Sequence, residues 1–100
     1  MDKFFDELGR RWVAAARRRE AAIEAPLLNP RVALELLELA RVAAHTGERR
    51  FAPLSCFMAG VATERLRMAK PGLDEQAVAD YILEIRGELE AETPEGANDR

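Results

Sequence analysis

Prolines and glycines cut this 100-residue chain into four stretches, and within each stretch apolar residues recur every three or four positions. The cuts fall at Pro26 and Asn29-Pro30, at Gly47 to Pro53, at Lys70-Pro71-Gly72 and at Pro94. A period near 3.6 gathers apolar side chains on one side of a helix, whereas a strand needs strict alternation. Composition points the same way. Ala occurs 18 times and Leu 12 times, against 11 for Val, Ile and Thr together, and strands favour β-branched residues. The expected fold class is all-α. Short connections favour a compact antiparallel four-helix bundle. One domain over residues 1–92 and a disordered acidic tail over 93–100, polar and broken by Pro94 and Gly96, complete the expected organisation.

Local grammar sets the helix ends. The first helix is expected from about Asp2 to Glu24, with Asp2 as N-cap and Phe4, Phe5, Leu8, Trp12, Ala15, Ala16, Ala22 and Ile23 along one stripe. Gly9 is a weak point inside it, costing about 1 kcal/mol against Ala. The second helix opens at Asn29-Pro30, because the first helical residue needs no N–H, and Gly47 is expected to end it in a left-handed conformation. The third starts at Pro53 and carries Leu54, Phe57, Met58, Val61, Ala62 and Leu66 on one face. Gly60, in its middle, is expected to admit a close-packed neighbour. The fourth has Asp74 as N-cap, with Leu73 and Val78 at the hydrophobic-staple positions. The apolar stripes of the first two helices are broad. Either one core absorbs them, or a face pairs with a second copy or another protein.

Charge is unevenly spread. Residues 1–30 carry six basic and five acidic groups, residues 31–73 seven and four, and residues 74–100 two and nine, which gives the net −3. The acidic end discourages nucleic-acid binding through that face. No stretch approaches the roughly 20 apolar residues of a membrane span. Met1-Asp2-Lys3 leads into no signal-type apolar run, so a cytoplasmic location is expected. A lone cysteine, Cys56, fits a reducing compartment.

No phosphate loop, dinucleotide loop or paired-cysteine zinc pattern occurs, and His45 is the only histidine. No catalytic residue, metal site or cofactor is expected. Ser55 and Cys56 with His45 could be drawn as nucleophile and base, but a free cysteine beside a core phenylalanine reads as a small buried hydrophobe. Glu35/Glu38 and Glu84/Glu88 have helical spacing without the Glu-x-x-His of a di-iron bundle, and read as a solvated face. Arg10, Arg11, Arg17, Arg18 and Arg19, with Trp12 among them, form a basic patch. The patch could touch nucleic acid or an anionic membrane, although a plain solvent face is the simpler expectation. The junction of the second and third helices gathers His45, Arg49, Arg50, Pro53 and Ser55. Free N–H groups opening the third helix, with Ser55 and an arginine clamp, could hold an anion or a partner there.

This junction carries a resemblance. Leu36-Leu37-Glu38-Leu39-Ala40-Arg41-Val42-Ala43-Ala44-His45, then Arg49/Arg50, Ala52-Pro53-Leu54, Phe57, Gly60 and Ala62, resembles a small bacterial helical domain of unknown function. That domain is typical of actinobacteria and is found beside or fused to molybdenum-cofactor guanylyltransferases. The resemblance implies an accessory role near molybdenum-cofactor or nucleotide metabolism, and it singles out His45, Arg49, Arg50 and Pro53. The expected function is a non-catalytic helical interaction module that meets a protein partner or itself. The alternatives are a nucleic-acid-binding domain using the first-helix arginines, or anion or nucleotide binding at the junction.

Overall fold

The computed structural model describes residues 3–92. They form α1 (Lys3–Arg18), α2 (Pro30–Thr46), α3 (Phe51–Ala69) and α4 (Glu75–Glu92), with no strand among the described residues. The fold class is all-α, as the periodicity requires. The expected tail over residues 93–100 lies outside the described residues. The described residues divide into two compact units that meet in sequence between Pro30 and Arg31.

In the first unit, α1 stops at Arg18 rather than near Glu24. The prolines do not stop it. The N–H of Ala21 donates to the Ala16 carbonyl and the N–H of Glu20 to the Arg17 carbonyl, each at 2.9 Å, with Glu20 left-handed at φ 62°. These bonds are those of a Schellman turn, which satisfies the last carbonyls of a helix. The position is usually glycine, so a glutamate there is a strained stop. Beyond the turn the chain comes back over α1. A Cβ at Gly9 would lie 3.0 Å from the Pro26 carbonyl oxygen. Gly9 is buried and marks a close approach as well as a helix weak point.

At the boundary of the two units α2 begins at Pro30, as its grammar demands, and the rest of it belongs to the second. It ends before Gly47, but Gly47 does not take the left-handed conformation expected of it; among the described glycines only Gly72, in the α3–α4 turn, does (φ 95°). Gly47 is instead crowded by the Phe51 ring, whose edge would clash with an added Cβ. The third helix starts two residues earlier than Pro53, at Phe51. The early start costs nothing at Pro53, because the first turn of a helix has no intrahelical use for that N–H. At α4 the sequence grammar holds: Asp74 Oδ1 accepts the Ala77 N–H at 2.9 Å.

Pairs of neighbours give the helix directions. Arg67 meets Glu75 near one end of α3 and α4, and Ser55 and Leu89 share a groove near the other, so these helices are antiparallel. Glu35 meets Arg86 and Arg41 meets Glu90, so α2 and α4 run the same way. The core is Leu39 of α2 with Val78 and Ile82 of α4, packed by Val32, Leu36, Ala59 and Leu89. Burying each large aliphatic side chain contributes about 1.5–3 kcal/mol. From α3 only Thr63 is buried outright.

Candidate docking groove

The sequence put Leu54, Phe57 and Met58 on one apolar face and read Phe57 as core, and the structure leaves all three outside. They are 61%, 73% and 70% exposed. The reason is geometric. α3 carries apolar residues on all sides, and only the side bearing Ala59 and Thr63 fits against α2 and α4. Small side chains let α3 approach; the large ones stay outside.

Their exposure leaves a groove of about 250 Å³ between α3 and α4. Met58 and Ala62 of α3 and Tyr81, Ile85 and Leu89 of α4 line it, over the core residues Leu39 and Ile82. Two further depressions continue it: one along Ala43, Phe51 and Leu54, the other along Phe57, Val61 and Arg65. Met58 borders all three. The lining is almost wholly apolar. Its polar points are Ser55 and Tyr81 in the middle depression, Thr46 in one neighbour and Arg65 in the other. Gly60, expected to admit a neighbouring helix, faces open space, with nothing within 4 Å of an added Cβ.

The groove is framed by ion pairs on the other sides of its helices. Arg86 of α4, mostly buried, meets Glu35 of α2 at 3.1 Å and Glu90 at 3.2 Å. Arg41 of α2 meets Glu38 and Glu90, both at 3.1 Å. Glu35 and Glu38 are therefore parts of a cross-helix network, not a plain solvated face. The hydrogen bond from Arg41, helped by Arg86 and opposed by desolvation, holds the Glu90 carboxyl below its ordinary value. On the far side Arg67 of α3 meets Glu75 of α4 at 2.9 Å. Its Nε lies 3.5 Å from Glu64 without a hydrogen bond. By contrast, Glu84 and Glu88 of α4 are exposed and outside every ion pair among the described residues.

The junction residues fall differently from the anion site drawn for them. Arg50 lies beside Glu48, with Nε 2.8 Å from its carboxylate. The N–H groups of Phe51 and Ala52 donate to the carbonyls of Glu48 and Arg49, and Pro53 has none, so α3 opens without a fan of free donors. His45 and Arg49 are exposed, and Ser55 turns into the apolar groove. Cys56 packs toward α2, its thiol directed at the Leu36 carbonyl at 3.7 Å. Burial pushes that thiol up, away from the thiolate a nucleophile needs. In the basic patch, Arg10 lies 3.6 Å from Glu7, and Arg19 donates to the Ala15 carbonyl beyond the helix end. Arg11, Arg17 and Arg18 are exposed, the last two in the final turn of α1, where cations suit the helix dipole.

Residues 6–97 match the model of a family described as a domain of unknown function, DUF6457. The chain belongs to the DUF6457 family. The match runs far beyond residues 36–62, which carried the resemblance, and includes every groove residue. No curated protein and no solved structure matches this DUF6457 chain. No described helix is long and apolar enough to cross a membrane. The groove is the feature of this DUF6457 domain that sequence reading missed. Its trace was present in α3, where large apolar residues occupy more of the helix circumference than one neighbour can cover.

Proposed function

We propose that this domain is a non-catalytic docking module that takes a helix of another protein along the groove between α3 and α4. The observation that carries this reading is the exposure of Leu54, Phe57 and Met58 around a continuous apolar channel. Clustered exposed apolar side chains of this size mark interaction surfaces, and scattered single ones do not. A groove floored by Leu39 and Ile82 and walled by long side chains suits the apolar face of an amphipathic helix. Met58, unbranched and adaptable, sits where such a face would press. The resemblance to domains found beside or fused to molybdenum-cofactor guanylyltransferases adds a setting: an accessory that docks on an enzyme of cofactor or nucleotide metabolism.

Site-specific photocrosslinking in the source cells tests this. A photoreactive residue in place of Met58 should give one dominant adduct, mapped to a single helical segment of one protein. The same residue in place of Leu34, apolar and exposed on α2 but away from the groove, should not. A cofactor-synthesis enzyme as the adduct supports the accessory role. Equal crosslinking from both positions, or none from Met58, defeats the docking reading.

A further inference from the structure

We infer that the helix received by the groove is basic along one flank, a partner whose Lys or Arg side chains meet Glu84 and Glu88 of α4. This rests on the docking reading and adds the chemistry of the partner. Tyr81 and Ile85 line the groove. Glu84 and Glu88 follow them by three residues each, so they stand one step round the helix, on the outer lip. Both are exposed. Their status is unlike that of the carboxylates nearby. Glu35, Glu38, Glu75 and Glu90 are each engaged by Arg41, Arg67 or Arg86, whereas no arginine or lysine among the described residues engages Glu84 or Glu88. Residues 74–100 as a whole carry two basic and nine acidic groups. The α4 lip thus offers two unneutralised carboxylates one helical turn apart beside an apolar channel. The opposite lip is different in kind. Leu54, Phe57 and Val61 make it apolar, and Arg65 is its one cation. The partner is therefore asymmetric: apolar toward Met58 and Ala62, basic toward α4, and free of added cations at the Arg65 end. Such asymmetry fixes which way round the partner lies, because rim charges choose orientation and encounter more than they add raw affinity.

The probes are two labelled synthetic amphipathic helices of 18 residues, the length of α4. They share one Leu/Phe face and differ only in a flank of Lys or of Glu. Binding to the full chain is read by fluorescence anisotropy at low and physiological salt. The Lys peptide should bind about tenfold tighter, with the gap narrowing as salt rises. The double variant Glu84→Lys/Glu88→Lys should reverse the preference. Met58→Asp and Leu54→Asp should each weaken both peptides strongly. Both residues are largely exposed, so the variants should fold, which circular dichroism confirms. Equal binding of the two peptides, lost in Met58→Asp, overturns the basic partner but leaves the docking reading standing. Binding of neither peptide, with a chain that dimerises in sedimentation until Met58→Asp is introduced, puts a second copy in the groove and overturns the basic partner. Binding of neither by a monomeric chain, or binding untouched by both Asp variants, overturns the proposal and the docking reading together.

Discussion

Toward α2, α4 sets Val78, Ile82 and Arg86; toward α3 it sets Tyr81 and Ile85. On the α2 side the space is filled. Val78 is 1% exposed, Leu39 and Ile82 close over it, and Arg86 ties the helices through Glu35. On the α3 side the neighbour arrives with alanines and keeps Met58 and Leu54 outside, so Ile85 is 44% exposed. The two sides have similar apolar content and opposite outcomes. What separates them is whether the facing helix brings a large side chain to the seam. A seam filled by large residues stabilises the fold; a seam left open is available to something else.

Truncating one side chain on each face has the largest expected effect. Ile82→Ala should cost about 3 kcal/mol in urea unfolding, for the lost burial and the cavity left behind. Met58→Ala should cost under about 0.5 kcal/mol, since its side chain is largely exposed already. Similar losses at the two positions would mean that the groove is closed in solution.

A smaller effect concerns the ion pairs that brace the filled side. Arg86→Ala should cost about 2 kcal/mol, because it strands the Glu35 carboxylate, whose side chain is only 16% exposed. The same network gives an acid dependence. Glu90 titrates below its ordinary value in the folded chain, chiefly through Arg41. A carboxyl depressed by folding stabilises the fold at pH values above its ordinary range, and that contribution disappears as pH falls through the lowered value. Melting temperatures followed from neutral pH into acid should therefore decline, and Arg41→Ala should make the decline shallower. An unchanged acid limb in Arg41→Ala would remove Glu90 from the account.

The smallest expected effect lies at two mid-helix glycines. Gly60 faces open space, so Gly60→Ala should stabilise by about 1 kcal/mol through helix propensity alone. The same change at Gly9 puts a methyl 3.0 Å from the Pro26 carbonyl oxygen. There the propensity gain is opposed by a backbone shift, and Gly9→Ala should lower the melting temperature. Opposite signs at two residues of equal propensity separate what a helix prefers from what its neighbours permit.

Four helices, the start of α2 at Pro30 and the Asp74 cap of α4 were legible in local sequence. These depend on contacts within a turn or two of chain, where proline geometry and capping act without reference to the rest of the fold. The same local logic named His45, Arg49, Arg50, Pro53 and Ser55 as a site, yet turn bonds from Glu48 and Arg49 occupy the donors that site required. Tertiary structure alone decided which side of α3 is covered. Leu54, Phe57 and Met58 look like core in any helical projection, and only the approach of α2 and α4 to Ala59 and Thr63 leaves them outside. It also decided which carboxylates are neutralised, because pairing Glu35 with Arg86 joins residues on different helices. Periodicity shows that a face is apolar. Whether that face is buried depends on the size and position of side chains brought by other helices, which no local pattern records.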